Sequence, residues 1–288
     1  MKVQLIGAAT VMATALGAVA AISHGDVAAA ASSGYKLKWS DEFNGKSLSS
    51  SWQVLPTSAG AGRTCAVASK KMATVSAGKA KISATVNKAN TARCVTAEAG
   101  TFNTRYLNSQ IRTTKSFLYG KFEARIKFQG NQGSHAAFWM LPSTAAPAAG
   151  TSPTNLPGYR GVEVDVAEYF GDGFTKKGMP KGGLYSYVYW PKAGGPAVKT
   201  QGNTVKATKA IGSKKASGGY HTYAVEWTPT AYIFSVDGKQ TAKITVGVSH
   251  RPENLLLSML TSDWELSKLS KKNLPSSMSV DWIHVYQK

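Results

Sequence analysis

The sequence predicts an all-β protein built as an antiparallel β-sandwich or barrel, and three observations support this prediction. Apolar and polar residues alternate with period two in many short segments, turn residues separate these segments, and no long segment shows helical periodicity with capping residues. Many short strands joined by turns are typical of sandwiches and barrels, and all-β domains of this length are often single. We find no internal repeat and no interdomain linker, so one domain is expected.

The alternation is clearest in residues 120–128 and 221–228, where one face of each segment is apolar or aromatic. Asp237-Gly238 separates two further alternating runs, at 232–236 and 239–246, and Asp-Gly is among the strongest short signals for a hairpin. Further strands are predicted at Lys79–Val86, His135–Leu141, Leu184–Trp190, Leu255–Met259 and Ser279–Tyr286.

Two stretches, Ser143–Arg160 and Lys192–Gly219, are rich in Ala, Gly, Pro, Thr or Lys and are predicted to be irregular loops. The second contains six Lys and no acidic residue, which suits either a solvated surface loop or the rim of a binding site.

The charge is strongly positive, because 34 Lys and Arg stand against 15 Asp and Glu and give a net charge of +19. Only 17% of residues are charged, so a shortage of acid contributes as much as a surplus of Lys. This composition excludes a disordered or coiled-coil chain and favours an anionic partner without identifying it. No motif of the usual nucleic-acid-binding modules is present, so specific nucleic-acid binding is not expected.

Residues 1–31 have the pattern of a secretory signal peptide, with a charged start, an apolar run over 3–22 and the small residues 28–32. The run is weakly apolar for a membrane-spanning helix, which is the alternative interpretation. We therefore expect a mature chain of residues 32–288 that is secreted to the extracellular space, monomeric and free of the membrane.

Export affects how the two cysteines, Cys65 and Cys94, are interpreted. In an oxidising compartment an even pair is most simply a disulfide, and two thiols are too few for a zinc site. Two buried free thiols are the alternative.

Three of the 15 carboxylates, Glu163, Asp165 and Glu168, fall within six residues. Their neighbours are Val and Ala, which suit a buried strand, where carboxylates repel one another and resist desolvation. Active sites are a common reason for such a cluster.

The spacing of these acids predicts a β-bulge. Glu163 and Asp165 share a face of a regular strand, but Glu168 joins them only if one extra residue is inserted around Val166-Ala167. The Cα atoms of Glu163 and Glu168 would then lie roughly 13 Å apart, and inward-leaning side chains would bring the carboxyls to about 5 Å. A retaining glycosidase has about this separation.

This segment resembles the Glu-x-Asp-x-x-Glu signature of glycoside hydrolase family 16, which comprises secreted β-glycanases with a concanavalin-like β-jelly roll. The i+5 spacing resembles the bulged branch of the family, which includes laminarinases, agarases and carrageenases. The sequence departs from the pattern at Tyr159-Arg160-Gly161, where many members have Trp and Gly nearer the nucleophile. Five other segments also resemble segments of the family, and they occur in the same order along the chain. They are Trp39–Gly45, Tyr119–Arg125, Ala137–Pro142, Tyr220–Pro229 and Val280–Tyr286.

The resemblance implies that Glu163 is the nucleophile, Glu168 the general acid/base, and Asp165 a hydrogen-bonding partner of the nucleophile. Adjacent carboxylates titrate as a coupled set, so one can be ionised while another holds a proton. The predicted function is a retaining endo-β-glycanase acting on β-1,3- or β-1,3-1,4-glucan, with no cofactor in catalysis. The alternatives are a glycanase or transglycosylase for an anionic or galactose-based polysaccharide, and a non-catalytic lectin-like module.

Candidate substrate-binding residues are aromatic or polar. Trp139, Trp190 and Trp264 could pack on the C–H faces of sugars, with core packing as the alternative. His221 alternates with core aromatics, so it is either a buried hydrogen-bonded histidine or, from its place in the family motif, a neighbour of the acid/base. The sugar-hydroxyl candidates are Arg112 and Glu265, with surface roles as the alternative.

Family members often bind one structural calcium ion on the convex face through a carboxylate in the closing strand. Asp281 matches that place, and Glu42 and the backbone oxygen of Gly78 are weaker candidates. Calcium accepts backbone and water oxygens as ligands, so the sequence leaves its binding open.

Overall fold

The computed structural model describes residues 34–56, 62–97, 100–143, 162–176, 183–191, 199–212 and 215–288. The predicted signal peptide and residues 159–161 lie outside this part of the chain. Its strands are β1 (Lys36–Asp41), β2 (Trp52–Val54), β3 (Ala66–Ala68), β4 (Ala73–Ser76), β5 (Lys79–Val86), β6 (Cys94–Thr96), β7 (Gly100–Phe102), β8 (Tyr106–Thr113), β9 (Gly120–Lys127), β10 (His135–Pro142), β11 (Glu163–Tyr169), β12 (Leu184–Pro191), β13 (Lys199–Lys206), β14 (His221–Thr228), β15 (Ala231–Val236), β16 (Lys239–Ile244), β17 (Glu253–Leu260) and β18 (Ser276–Gln287).

The long sheet folds into two facing layers. The front layer has the order β13-β12-β11-β10-β17-β8, and the back layer has the order β5-β18-β9-β14-β15-β16. Both orders consist of antiparallel neighbours, and the pairing of β5 with β8 joins the layers at one edge. The predicted all-β antiparallel sandwich is therefore confirmed.

One hydrophobic core lies between the layers because each strand turns every second residue inward. Phe138 and Val164 of the front layer and Phe122 and Val225 of the back layer are all fully buried in it. The other residues of each front-layer strand point outward, away from the core. This outward face carries the candidate site.

The hairpin predicted at Asp237-Gly238 connects β15 and β16. Both residues have positive φ values, +49° and +72°, as a type I′ turn requires. This close match shows that the turn residues and the flanking alternation specify the same local structure.

The prediction that Lys192–Gly219 is irregular is wrong for part of that stretch. Residues 199–206 form β13, which pairs with β12, and residues 207–211 form a 3-10 helix. β13 lies at the end of the front layer, where a strand can be polar on both faces. Its polar sequence therefore lacks the alternation of apolar and polar residues that predicts a strand.

The helices in the described part of the chain are short 3-10 turns, and none is long and apolar enough to cross a membrane. They cover Lys70–Met72, Ala207–Ile211, Asp263–Lys268 and Lys271–Asn273.

Candidate active site

The predicted β-bulge is present in β11. Asp165 pairs with Tyr187 and Glu168 with Tyr185, so three steps on β11 oppose two steps on β12. The two intervening residues, Val166 and Ala167, both belong to the buried core. The bulge therefore brings Glu168 to the same outward face as Glu163 and Asp165, which we call the active face.

A row of tyrosines on β12 faces these acids. Tyr189 pairs with Glu163, Tyr187 with Asp165 and Tyr185 with Glu168, and successive rings lie 5.5 and 5.6 Å apart. Burial and the nearby carboxylates raise the pKa of Tyr187 and of Tyr189. These phenols therefore stay neutral, so they can donate hydrogen bonds and offer ring faces to a sugar.

The tyrosine row was missed in the sequence interpretation, although a signal for it was present. Tyr185, Tyr187 and Tyr189 alternate at positions i, i+2 and i+4 directly before Trp190, so period two places them on one face and Trp190 on the other. The sequence interpretation instead chose tryptophans as the candidates for contact with sugars, because of their residue type.

Glu168 lies beside a histidine of the neighbouring strand. His135 Nε2 is 3.7 Å from Glu168 Oε1, and His135 Nδ1 is 2.6 Å from Glu265 Oε2. The backbone N–H of Ser262 donates to the same oxygen of Glu265, at 3.0 Å, and helps to fix that carboxylate. A Glu265–His135–Glu168 chain therefore leads into the active face.

The electrostatic environment of Glu168 favours its protonated form. Burial raises the pKa of Glu168 to about 7, His135 counteracts the rise, and the charges of Glu265 and Glu163 add to it. Burial lowers the pKa of His135, but the charge and hydrogen bond of Glu265 outweigh burial and raise that pKa overall. A carboxyl with such a pKa can hold a proton near neutral pH and release it during a reaction.

Arg63 is a second cation near these acids, and it was also missed in the sequence. Burial lowers the pKa of Arg63, while the negative charges of Glu265, Glu168 and Glu163 oppose that shift. The isolated Arg in a turn-rich segment gave no sequence signal, because only the fold brings it beside β11.

The segment that carries Arg63 is anchored directly after that residue. The backbone N–H and hydroxyl of Thr64 donate to the Asp263 carboxylate at 2.9 and 2.7 Å. Cys65 forms the predicted disulfide with Cys94, whose Cα lies 5.6 Å away. These contacts fix the backbone immediately after Arg63.

Trp139 and Arg112 lie in one row across the active face. Trp139 pairs with Asp165 on one side and with Leu256 on the other, and Leu256 pairs with Arg112. Trp139 Nε1 donates to Ser258 Oγ at 3.2 Å, which orients the indole. The structure thus brings both predicted residues to the outward face that carries the acids.

Trp264 and Glu265 lie at the Glu168 end of this face. The ring of Trp264 is 5.6 Å from Phe170, whose own ring is 5.2 Å from His135. Lys176 Nζ lies 3.7 Å from the centre of the Trp264 ring. Trp264 therefore belongs to an aromatic and basic flank beside the acid/base candidate.

Trp190 and His221 lie elsewhere, and the predictions for them are corrected. Trp190 packs against the core and over Gly247 because it has the opposite parity to the tyrosine row. His221 belongs to β14 of the back layer, and its Nδ1 is 2.7 Å from Asp237 Oδ2. It is thus the buried, hydrogen-bonded histidine, and His135 occupies the place beside Glu168.

The candidate calcium ligands named from the sequence were Asp281, Glu42 and Gly78. The Asp281 carboxylate contacts Arg125 and also lies 3.3 Å from Lys79 Nζ. Glu42 Oε1 lies 2.8 Å from His284 Nε2, and Gly78 occupies the turn between β4 and β5 with φ +70°. Within the described residues, no group of three or more His, Cys, Asp or Glu side chains is arranged to hold a metal ion. Lys79 and Arg125 thus already balance the charge of Asp281.

An antiparallel sandwich with three carboxylates, a tyrosine row and a tryptophan on one outward face defines an enzyme of the glycosidase class. The family model of glycosyl hydrolases family 16 matches residues 67–284, and the chain belongs to this family.

Comparison with individual proteins agrees with this membership. A beta-glucanase of Fibrobacter succinogenes is 26% identical over 188 residues, which cover 63% of this chain and 47% of the relative. The chain thus spans about half the length of this curated relative.

Solved structures share the jelly-roll fold. The catalytic domain of an endo-1,3-beta-glucanase (laminarinase) from Thermotoga petrophila has a TM-score of 0.64 at 20% identity, over 88% of this chain and 98% of that one. The kappa-carrageenase of Pseudoalteromonas carrageenovora has a TM-score of 0.65 at 21% identity, over 88% and 94%.

Proposed function

We propose that the chain is a secreted, retaining endo-β-glycanase that hydrolyses β-1,3- or mixed β-1,3-1,4-glucan. The observation that carries the proposal is the bulged β11, which sets Glu163, Asp165 and Glu168 on one face and leaves Glu168 with a pKa of about 7. A pair of carboxyls, one ionised and one protonated, is what a retaining glycosidase needs.

In the first step, a Glu163 carboxylate oxygen attacks the anomeric carbon and the bond to the leaving oxygen breaks. Glu168 donates its proton to that oxygen, so the leaving chain departs as a neutral alcohol. In the second step, Glu168 takes a proton from water, the water oxygen attacks the anomeric carbon, and Glu163 is released.

Neighbouring groups have distinct tasks in this proposal. Asp165 stands between the two acids, opposite Tyr187, and orients the nucleophile. His135 holds Glu168 in place and moderates its pKa. Trp139 and the tyrosine row pack against the sugar rings and exclude water.

The test is a reducing-end assay on laminarin and lichenan with wild type, Glu163→Gln and Glu168→Gln. Each variant should lose at least about 100-fold in kcat/KM, since general acid–base groups alone contribute 10²–10⁴-fold. Glu253→Gln is the matched control, because Glu253 is a buried glutamate of the same layer with a pKa raised by burial to about 8, and it points into the core. Equal activity in wild type and both active-face variants would refute the proposal, and tight binding without cleavage would favour the lectin-like alternative.

One observation favours a second candidate, cleavage of an anionic, galactose-based polysaccharide. Lys176 and Lys268 stand over the rings of Trp264 and Phe174 at 3.7 and 4.4 Å, so the Glu168 end of the active face carries positive charge. Activity on kappa-carrageenan that falls with added salt, without activity on laminarin, would favour this candidate.

A further inference from the structure

A cavity of about 580 Å³ opens in the back layer, away from the active face. It lies where β9 begins and where β14 and β18 end, and none of its lining residues belongs to β10, β11, β12 or β17. Its size is within the range of small-molecule sites. The lining residues, which we call the lysine pocket, are Tyr35, Lys38, Lys115, Leu118, Tyr119, Gly120, Trp227, Thr228, Pro229, Gln287 and Lys288.

The wall of the lysine pocket combines aromatic and apolar surface. The ring of Tyr119 packs edge-on against buried Trp227 at 5.1 Å, and the Tyr119 hydroxyl is fixed by His250 Nδ1 at 2.7 Å. Leu118 is 38% exposed beside them. This rigid apolar surface suits the C–H face of a sugar ring better than a small inorganic ion.

The rim is cationic, and the Glu226 carboxylate accepts a hydrogen bond from the hydroxyl of the lining residue Tyr35 at 3.0 Å. Among the described residues, no carboxylate lies within ion-pair distance of Lys38, Lys115 or Lys288, and no acidic residue lines the pocket. By contrast, Lys79 and Lys121 of the same layer each pair with a carboxylate. Three ammonium groups around a concavity repel one another and concentrate positive potential there.

We propose that the lysine pocket binds a sulfated or carboxylated sugar unit of an anionic polysaccharide, as a second glycan site separate from the active face. The three lysines neutralise the anionic groups, and Tyr119 and Leu118 contact the ring. This site would hold the protein on an acidic polymer while the active face works on an adjacent chain.

The test measures binding alone, so it is independent of the proposed hydrolysis. In a Glu163→Gln background, titration calorimetry at about 0.15 M salt uses a carrageenan hexasaccharide and, as the neutral probe, laminarihexaose. The variant Lys38→Gln/Lys115→Gln/Lys288→Gln should weaken carrageenan hexasaccharide binding by about tenfold or more, since three charge-assisted contacts are removed. Binding of laminarihexaose should not change.

The matched control is Lys70→Gln/Lys71→Gln/Lys271→Gln, which removes three exposed lysines outside the pocket and changes the net charge equally. It should retain binding of the sulfated probe. Leu118→Asp, which adds a negative charge to the wall without touching the lysines, should weaken binding as well.

Equal losses in the two triple variants would show general charge attraction and overturn the proposal, as would no loss in either. Loss of binding to anionic phospholipid vesicles, with unchanged affinity for the oligosaccharide, would mark a membrane contact and also overturn it.

Discussion

Nε2 of His135 lies 3.7 Å from Oε1 of Glu168, while Nδ1 of the same ring lies 2.6 Å from Glu265. Glu265 raises the pKa of the histidine, and the resulting positive charge lowers the pKa of Glu168 against the effect of burial. The pH at which the acid/base candidate loses its proton therefore depends on His135, a residue that the sequence interpretation did not select.

Activity should fall as pH rises through about 7, because Glu168 must hold a proton to protonate the leaving oxygen. His135→Gln removes the cation that lowers the pKa of Glu168. The alkaline limb of the kcat/KM profile should therefore move to higher pH, by about one pH unit or more. A pH profile on one soluble oligosaccharide measures this shift.

His221→Gln is the matched control for this experiment. His221 is also a buried histidine paired with a carboxylate, Asp237, but it belongs to the back layer. Its pH profile should match that of wild type. An unchanged limb in His135→Gln, or an equal shift in both variants, would contradict the role assigned to His135.

Two tryptophans on opposite faces of the front layer should respond differently to truncation. Trp139→Ala removes a ring from the active face, so KM should rise while the melting temperature changes little. Trp190→Ala removes a partly buried ring that packs against the core and over Gly247, so it should cost about 1–3 kcal/mol of stability with KM unchanged. Oligosaccharide kinetics and thermal melting on both variants decide this, and the reverse pattern would contradict the placement.

Metal removal should leave stability unchanged. Lys79 and Arg125 already neutralise Asp281, and His284 contacts Glu42. A calcium site filled at about 100 times its Kd would add about 2.7 kcal/mol, which corresponds to a melting temperature higher by about 5 °C or more. Melting curves in EDTA and in calcium chloride should therefore coincide, and a calcium-dependent rise would show that another arrangement of these side chains binds the ion.

Local patterns predicted much of the fold. The alternation in residues 221–228 corresponds to β14, and Asp237-Gly238 gave a turn with the required positive φ values. β13 was missed because a strand at the end of a layer can be polar on both faces. Its existence depends on pairing with β12, which no local pattern reports.

The acids of the candidate site were readable because their spacing implied a bulge, and the structure contains it at Val166-Ala167. His135 and Arg63 were not selected, because neither stands near β11 in the sequence. Their contribution arises from tertiary contacts with Glu265 and Glu168, and these contacts depend on the strand order.

The configuration of the first-formed reducing end tests the central claim most directly. Proton NMR can follow the anomers during the first minutes of cleavage of a β-linked oligosaccharide, before mutarotation. The bulged geometry predicts that the β-anomer forms first, because two successive displacements at the anomeric carbon, with Glu163 first as nucleophile and then as leaving group, retain configuration. First formation of the α-anomer would mean single displacement by water, and it would contradict the role of Glu163 as a nucleophile.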